Sequence, residues 1–190
     1  MLVAPQTISG NDFLTDLKQK FTTVTTIRSD FIQETVIPMF AHPMRTNGRF
    51  VFKHPDALIW EYVSPLNEGF SLKDGKGYRW ENGRENRTFF TVQKDPLAAI
   101  IARQLVAWIT FDIQNISREY RIERLESEAL RLKMTPLRED VRSVIAHITI
   151  TFNQDGTASL VELSEQGGGR TSITFFNTVV NAPVNDEEFE

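Results

Sequence analysis

Apolar side chains recur with two different periods along this chain. Between residues 10 and 24 they fall at spacings of three and four (Phe13, Leu14, Leu17, Phe21 and Val24), which makes one stripe of a helix that Thr7 or Ser9 can cap. From Arg28 onward the period drops to two. Phe31 and Gln33 share one side of a run, followed by Gly48, Phe50 and Phe52, then Leu58, Trp60 and Tyr62, then Phe70 and Leu72, then Tyr78 and Trp80. That alternation describes strands with one buried face. Turn residues divide the runs, and Lys73-Asp74-Gly75-Lys76 is a strong hairpin signal because Asp-Gly tolerates the left-handed backbone of a tight turn. The first half of the chain therefore predicts an antiparallel meander.

Residues 96–108, PLAAIIARQLVAW, open with a proline and are apolar almost all round, so they predict a helix covered on most sides. Beyond it, YRIERLES, ALRLKMTP, VIAHITITFN, ASLVELSE and RTSITFFN predict further strands, divided by Asp155-Gly156 and by Gly167-Gly168-Gly169. A sheet of about ten strands curls or closes rather than staying flat. The expected fold is mainly β with helices (α+β): a strongly curved antiparallel sheet making a barrel or much of one, with both helices on its concave apolar face. No repeat or linker divides the chain, and 190 residues suit a single domain, 1–190.

Composition removes several function classes. Net charge is -4 and the basic residues are scattered, which leaves no footprint for nucleic acid. The longest apolar run, Leu97 to Ile109, is interrupted by Arg103 and Gln104 and is shorter than the roughly 20 residues of a transmembrane segment. The absence of cysteine rules out disulfides, thiolate metal sites and a thiol nucleophile, and suits cytoplasm and periplasm alike. The first residues carry no basic stretch followed by an apolar one, so either the protein is not exported or the sequence is a trimmed mature form.

Catalytic chemistry finds no constellation. His42, His54 and His147 show neither metal-ligand spacing nor a Gly-x-Ser-x-Gly partner, and His147 lies on the polar side of its strand, opposite Ile148, Ile150 and Phe152. Glu61, Glu81, Glu123, Glu126, Glu162 and Glu165 are dispersed, and the triple glycine sits between two strands, where it suits a hairpin rather than a phosphate loop. The expectation is no enzyme, no metal and no cofactor. What remains is apolar, with 14 Phe, 3 Tyr and 3 Trp, and composition alone does not separate a filled barrel from a lined cavity.

Several linked pieces resemble one family: Phe31-Ile32-Gln33 after a first helix, Gly48-Arg49-Phe50-Val51-Phe52-Lys53-His54-Pro55, Trp60 five residues after that proline, Ser64-Pro65, Asp74-Gly75-Lys76, Pro96-Leu97 and Asn177. Together they resemble the LolA family of outer-membrane lipoprotein carriers over nearly the whole chain. The resemblance implies an unclosed antiparallel β-barrel with helices as a lid over an apolar cavity. It also implies a monomeric, non-enzymatic periplasmic chaperone of Gram-negative outer-membrane biogenesis, which takes lipoprotein acyl chains or a related lipid cargo from an inner-membrane ABC transporter to an outer-membrane receptor. On that reading Phe31, Phe50, Phe52, Leu58, Trp60, Tyr62, Phe70, Tyr78, Trp80, Ile148, Ile150, Phe152 and Phe175 line the lipid site, and Leu97, Ile100, Ile101, Leu105 and Trp108 belong to the lid. Two departures point to a divergent branch. His54 replaces the arginine that latches the lid in the standard carriers, and Glu190 follows without their Pro-Gly-bearing tail and extra strand. The alternative is a lipid- or lipoprotein-binding sensor or regulator on the same fold.

Overall fold

The structure is a computed structural model and describes residues 23–94 and 113–190. The predicted helix at 10–24 lies outside the described residues except for Thr23 and Val24, which are turn and loop. The predicted helix at 96–108, with Leu97, Ile100, Ile101, Leu105 and Trp108, lies outside them entirely.

Eleven strands form one antiparallel sheet: β1 (Thr26–Val36), β2 (Met44–Lys53), β3 (Ala57–Ser64), β4 (Glu68–Lys73), β5 (Lys76–Trp80), β6 (Arg87–Thr91), β7 (Tyr120–Leu125), β8 (Arg131–Pro136), β9 (Ile145–Phe152), β10 (Ala158–Glu165) and β11 (Arg170–Val180). Short helices α1 (Ile113–Glu119) and α2 (Glu139–Arg142) precede β7 and β9, and a 3-10 turn, Asp186–Phe189, ends the chain. The spatial order is β6-β5-β4-β3-β2-β1-β11-β10-β9-β8-β7. Two meanders thus meet where β1 pairs with β11, and the free edges, β6 and β7, do not pair with each other. The barrel is unclosed. β6, RTFFT, is one strand more than the alternation predicts, because it is five residues long with Phe89 exposed and offers little one-sided pattern.

The predicted turns are present. Asp74 and Gly75 take positive φ, 50° and 72°, and join β4 to β5 as the Asp-Gly pair requires. The triple glycine turns β10 into β11, where the Glu165 N–H donates to the Gly169 carbonyl at 2.9 Å.

Register assigns the side chains to two faces. The face that carries Phe31, here called inner, runs across both meanders: Phe50 opposes Trp60, Trp60 opposes Phe70, Phe31 opposes Phe175, Ile173 opposes Val161, Val161 opposes Ile150, and Ile150 opposes Leu132. Tyr78 and Trp80 are corrections, because they belong to the outer face. The two-residue turn sets Lys73 opposite Lys76, which puts Tyr78 opposite Ser71 and Trp80 opposite Gly69, while Arg79 takes the inner position opposite Phe70. Alternation gave the period of β5 but not its phase.

The outer face has its own core of Val51, Ala57, Ile59 and Trp80, sealed by Val184 and Phe189 from the C-terminal segment. Glu61 is buried there between Arg49, which donates from Nε, and Arg84, whose Nε lies 3.0 Å from its Oε1, and the Arg84 guanidinium rests 4.7 Å from the centre of the Trp80 ring. Removing both arginines would leave a buried carboxylate uncompensated. The 3-10 turn is clamped by charge. Arg28 Nη2 donates to both Glu188 oxygens at 2.5 and 2.7 Å, and Lys53 and Lys73 hold Asp186 at 2.5 and 3.2 Å.

Two expectations follow. Hydrogen bonds from Lys53 and Lys73 lower the Asp186 carboxyl below its ordinary range, and the Arg28 hydrogen bond does the same to Glu188. A depressed folded value stabilises above the ordinary carboxylate range and is lost as pH falls through the folded value, so the clamp is whole at about pH 6 and loosens progressively below about pH 4. The Phe189 ring resonances report this, and an environment that stays unchanged after both carboxylates have protonated contradicts it. Separately, a Cβ added at Gly48 would stand 2.2 Å from Phe31 Cζ and 2.4 Å from the Glu61 carbonyl oxygen, the second being backbone that cannot swing away. Gly48→Ala is therefore expected to cost about 1–3 kcal/mol or more in a denaturant titration, and an unshifted midpoint contradicts that packing.

Candidate functional site

Four adjacent strands, β3, β2, β1 and β11, converge on one ring cluster. Phe31 sits at its centre, stacked on Trp60 with centroids 4.4 Å apart and planes at 30°, and edge-on to Tyr62 at 5.6 Å and Phe175 at 6.2 Å. Phe50 completes it, 5.9 Å from Trp60 and 6.2 Å from Phe175. Offset and edge-to-face contacts of this kind add to what burial alone provides. The cluster forms because Gly48, the cross-strand neighbour of Phe31, carries no side chain and leaves the ring room to lie flat. Phe52 and Leu58 continue the buried surface along the strands, and Phe70 flanks it half-buried.

The other predicted residues occupy the second meander. Ile148, Ile150 and Phe152 pack with Leu132, Met134 and Tyr120, and Ile116 of α1 lies against them. Val161 and Leu163 border this cluster, as Ile173 and Phe175 border the first, so the two join through β10 and β11 into one apolar inner face. Eleven of the thirteen predicted lining residues, all but Tyr78 and Trp80, belong to it. Tyr78 instead pairs edge-on with Phe89 at 5.6 Å on the outer side, beneath the Arg87 guanidinium.

His54 stands at the opposite end of the strands from Tyr62, in the turn between β2 and β3, with its side chain exposed and its N–H donating to the Thr25 carbonyl at 2.8 Å. It borders a surface pocket of about 390 Å³ with Thr25, Lys53 and Asn181. The lid helix that the arginine at this position latches in the standard carriers, and for which His54 is only a candidate latch here, lies outside the described residues. His147 lies outward in register with Ser164, and burial, then Lys133 and Arg170, push its pKa down.

Alternation did not reveal two features. One is a polar row beside the rings: Tyr62 Oη donates to Gln33 Oε1 at 2.9 Å, Gln33 Nε2 donates to Thr35 Oγ1 at 3.3 Å, and Thr35 Oγ1 lies 3.4 Å from Thr171 Oγ1. Burial, with the nearby Glu68 carboxylate, pushes the Tyr62 phenol up, so it stays a neutral donor. The other is an apolar rim. Met39, at 91 % exposure, and Phe40 project from the β1–β2 loop, and Met44, Val63, Leu66, Leu137 and Val144 are exposed at the same end of the sheet. IPMFAHPM, an eight-residue run with no formal charge, is apolar without strand or helix spacing, so its sequence assigns it no element or face.

Such a face binds by excluding water. Among the described residues no three His, Cys, Asp or Glu side chains gather to hold a metal ion, and no helix is long and apolar enough to cross a membrane.

Comparison with known proteins bears on both fold and descent. No curated protein matches the chain by sequence. Among solved structures, MucB is similar with a TM-score of 0.57 at 12% identity, over 95% of this chain and 63% of that one. The Pseudomonas aeruginosa MucA/MucB complex gives 0.54 at 14% identity, over 94% and 59%. A Vibrio parahaemolyticus domain described as an outer membrane lipoprotein-sorting protein gives 0.50 at 7% identity, over 93% and 94%. At these identities the likeness concerns fold alone. The sequence profile described as "Outer membrane lipoprotein carrier protein LolA" matches residues 22–190. That match spans both meanders and the junction between them, and the chain belongs to the LolA family, as a divergent member.

Proposed function

We propose that this protein is a periplasmic, non-enzymatic carrier that holds the acyl chains of lipoproteins, or of a related lipid, on its inner apolar face and passes them from an inner-membrane transporter toward an outer-membrane receptor. The observation that carries the reading is the continuity of that face, with its ring cluster in four adjacent strands, in a chain of the LolA family. Burying one CH₂ is worth about 0.8 kcal/mol, so a few acyl chains are held tightly without any charged contact. Release then requires a competing apolar surface or movement of a cover. We assign the cover to the segment 97–108, through Leu97, Ile100, Ile101, Leu105 and Trp108, with His54 as its candidate latch.

A sensor or regulator is the second reading. Its support is the likeness to MucB, which has been solved in complex with MucA.

Native mass spectrometry of the protein released from a Gram-negative periplasm is expected to show a mass increment that fragments to fatty-acyl groups. A clean unliganded mass, together with failure to bind a fluorescent fatty-acyl probe, contradicts the carrier reading. For the cover, Ile101→Glu is expected to weaken probe binding by tenfold or more while leaving the thermal unfolding transition cooperative. Loss of that transition, at a cost beyond the ~4–5 kcal/mol that marks exceptional core damage, makes the segment core rather than lid.

A further inference from the structure

We propose that Tyr62, Gln33, Thr35, Thr46 and Thr171 form a recognition row for the carbonyl head of the acyl cargo, taking a neutral ester or amide in preference to a free carboxylate; this rests on the carrier reading above. The row starts at Tyr62, on the margin of the ring cluster, and takes the next two inner-facing positions of β1 with their neighbours. Gln33 follows Phe31 at about 7 Å along β1, Thr46 opposes Gln33 on β2, and Thr171 opposes Thr35 on β11. Beyond it lies the end of the sheet that carries Met39 and Phe40. On β1 and β2 the inner face is therefore amphipathic along the strands, with rings and aliphatic side chains from Phe31 to Phe52 and then hydroxyls and an amide, while Ile173 opposite Gln33 and Leu163 opposite Thr171 keep the neighbouring side of the row apolar. An acyl chain laid with its tail toward Phe52 and Leu58 presents its carbonyl to this row.

The row also has an unspent donor. Thr46 Oγ1 is buried and has no hydrogen-bond partner among the described residues. A buried hydroxyl left unpaired is costly, and a carbonyl oxygen of the cargo supplies the acceptor it lacks. Gln33 contributes an amide with two N–H donors, of which Thr35 takes one. Charge sets the sign of the preference. Every member of the row is neutral, and Glu68 lies directly across β3 and β4 from Tyr62, where its carboxylate opposes a second anion. Among the described strand residues of this meander the inner-facing cation is Arg79, on β5 opposite Phe70 and two strands from Tyr62. A neutral head meets donors here, whereas an anionic head meets Glu68.

The test compares three lipids of equal chain length by displacement of a fluorescent acyl probe: 1-palmitoylglycerol, its carbonyl-free ether 1-O-hexadecylglycerol, and palmitate at about pH 8. Wild type is expected to bind the ester about three- to tenfold tighter than the ether, one hydrogen bond's worth, and palmitate more weakly than the ester. Thr46→Val and Gln33→Leu are expected to erase the ester preference while leaving ether affinity unchanged. Thr46→Ser is expected to retain it, and Glu68→Gln to narrow the gap to palmitate. Equal affinities for ester and ether in wild type, or equal losses for both lipids in the variants, overturn the row as a recognition element. Failure of all three lipids to displace the probe, or of the probe to bind at all, sinks the carrier reading itself and this inference with it. Thermal unfolding of each variant identifies a folding defect, and where one occurs the wild-type ratio of ester to ether affinity decides the case.

Discussion

The pairing of β1 with β11 is the constraint on which the rest of the architecture depends. It joins residues well over a hundred positions apart, as in the Ser29 hydroxyl that donates to the Phe176 carbonyl across a separation of 147, and it turns two local meanders into one sheet. Contacts of that span must offset the entropy of closing a long loop, and this seam does so with side chains as well as backbone. Phe31 meets Phe175 across it, the Thr26 hydroxyl donates to the Ala182 carbonyl at 2.7 Å, and Asn181 Oδ1 accepts from Thr25 at 2.8 Å. A bulge between Arg28 and Asp30 shifts the register, and Asn177, at φ 52°, reaches Asp30 with its amide at 2.9 Å beside it. Without the seam there is no continuous inner face, only two smaller apolar patches.

The seam also separates two kinds of burial. On the outer side, apolar residues are closed off by the chain itself: Phe189 and Val184 cover Ile59 and Trp80, and ion pairs to Arg28, Lys53 and Lys73 hold the covering segment down. On the inner side, among the described residues, the rings pack on one another and Ile116 of α1 lies against the far cluster. The same sheet thus has a finished core on one face and an apolar wall on the other. The wall is the face that bears Phe31, Phe50 and Trp60.

Much of this was legible in the sequence because it is local. Period-two alternation in Phe50-Phe52 and Leu58-Trp60-Tyr62 gives strand, face and neighbour at once, and Asp74-Gly75 gives the turn. The same turn, counted outward residue by residue, also fixes the phase of β5, so the misplacement of Tyr78 and Trp80 came from matching rings to rings instead of following register through Lys73 and Lys76. Other features had no local signal. That β11 returns to β1 depends on which edges remain free after both meanders form, and nothing in RTSITFFN names its partner. Gln33, Thr35, Thr46 and Thr171 look like ordinary strand polar residues until cross-strand pairing sets them side by side. The exposed Met39 and Phe40 are apolar without periodicity, and so carry no structural prediction.

Cargo held on the face of Trp60 and not on that of Trp80 brings acyl carbons beside one indole and not the other, a difference that bromine placed along the chain reads by quenching. With Trp108 replaced by phenylalanine, two further variants would keep either Trp60 or Trp80 as the one remaining indole, and each would be titrated with a chain-brominated palmitoylglycerol. The expected result is strong, saturable quenching of Trp60 and little of Trp80, which lies beneath Arg84 on the outer face. Quenching confined to Trp80, or equal for both, would contradict it.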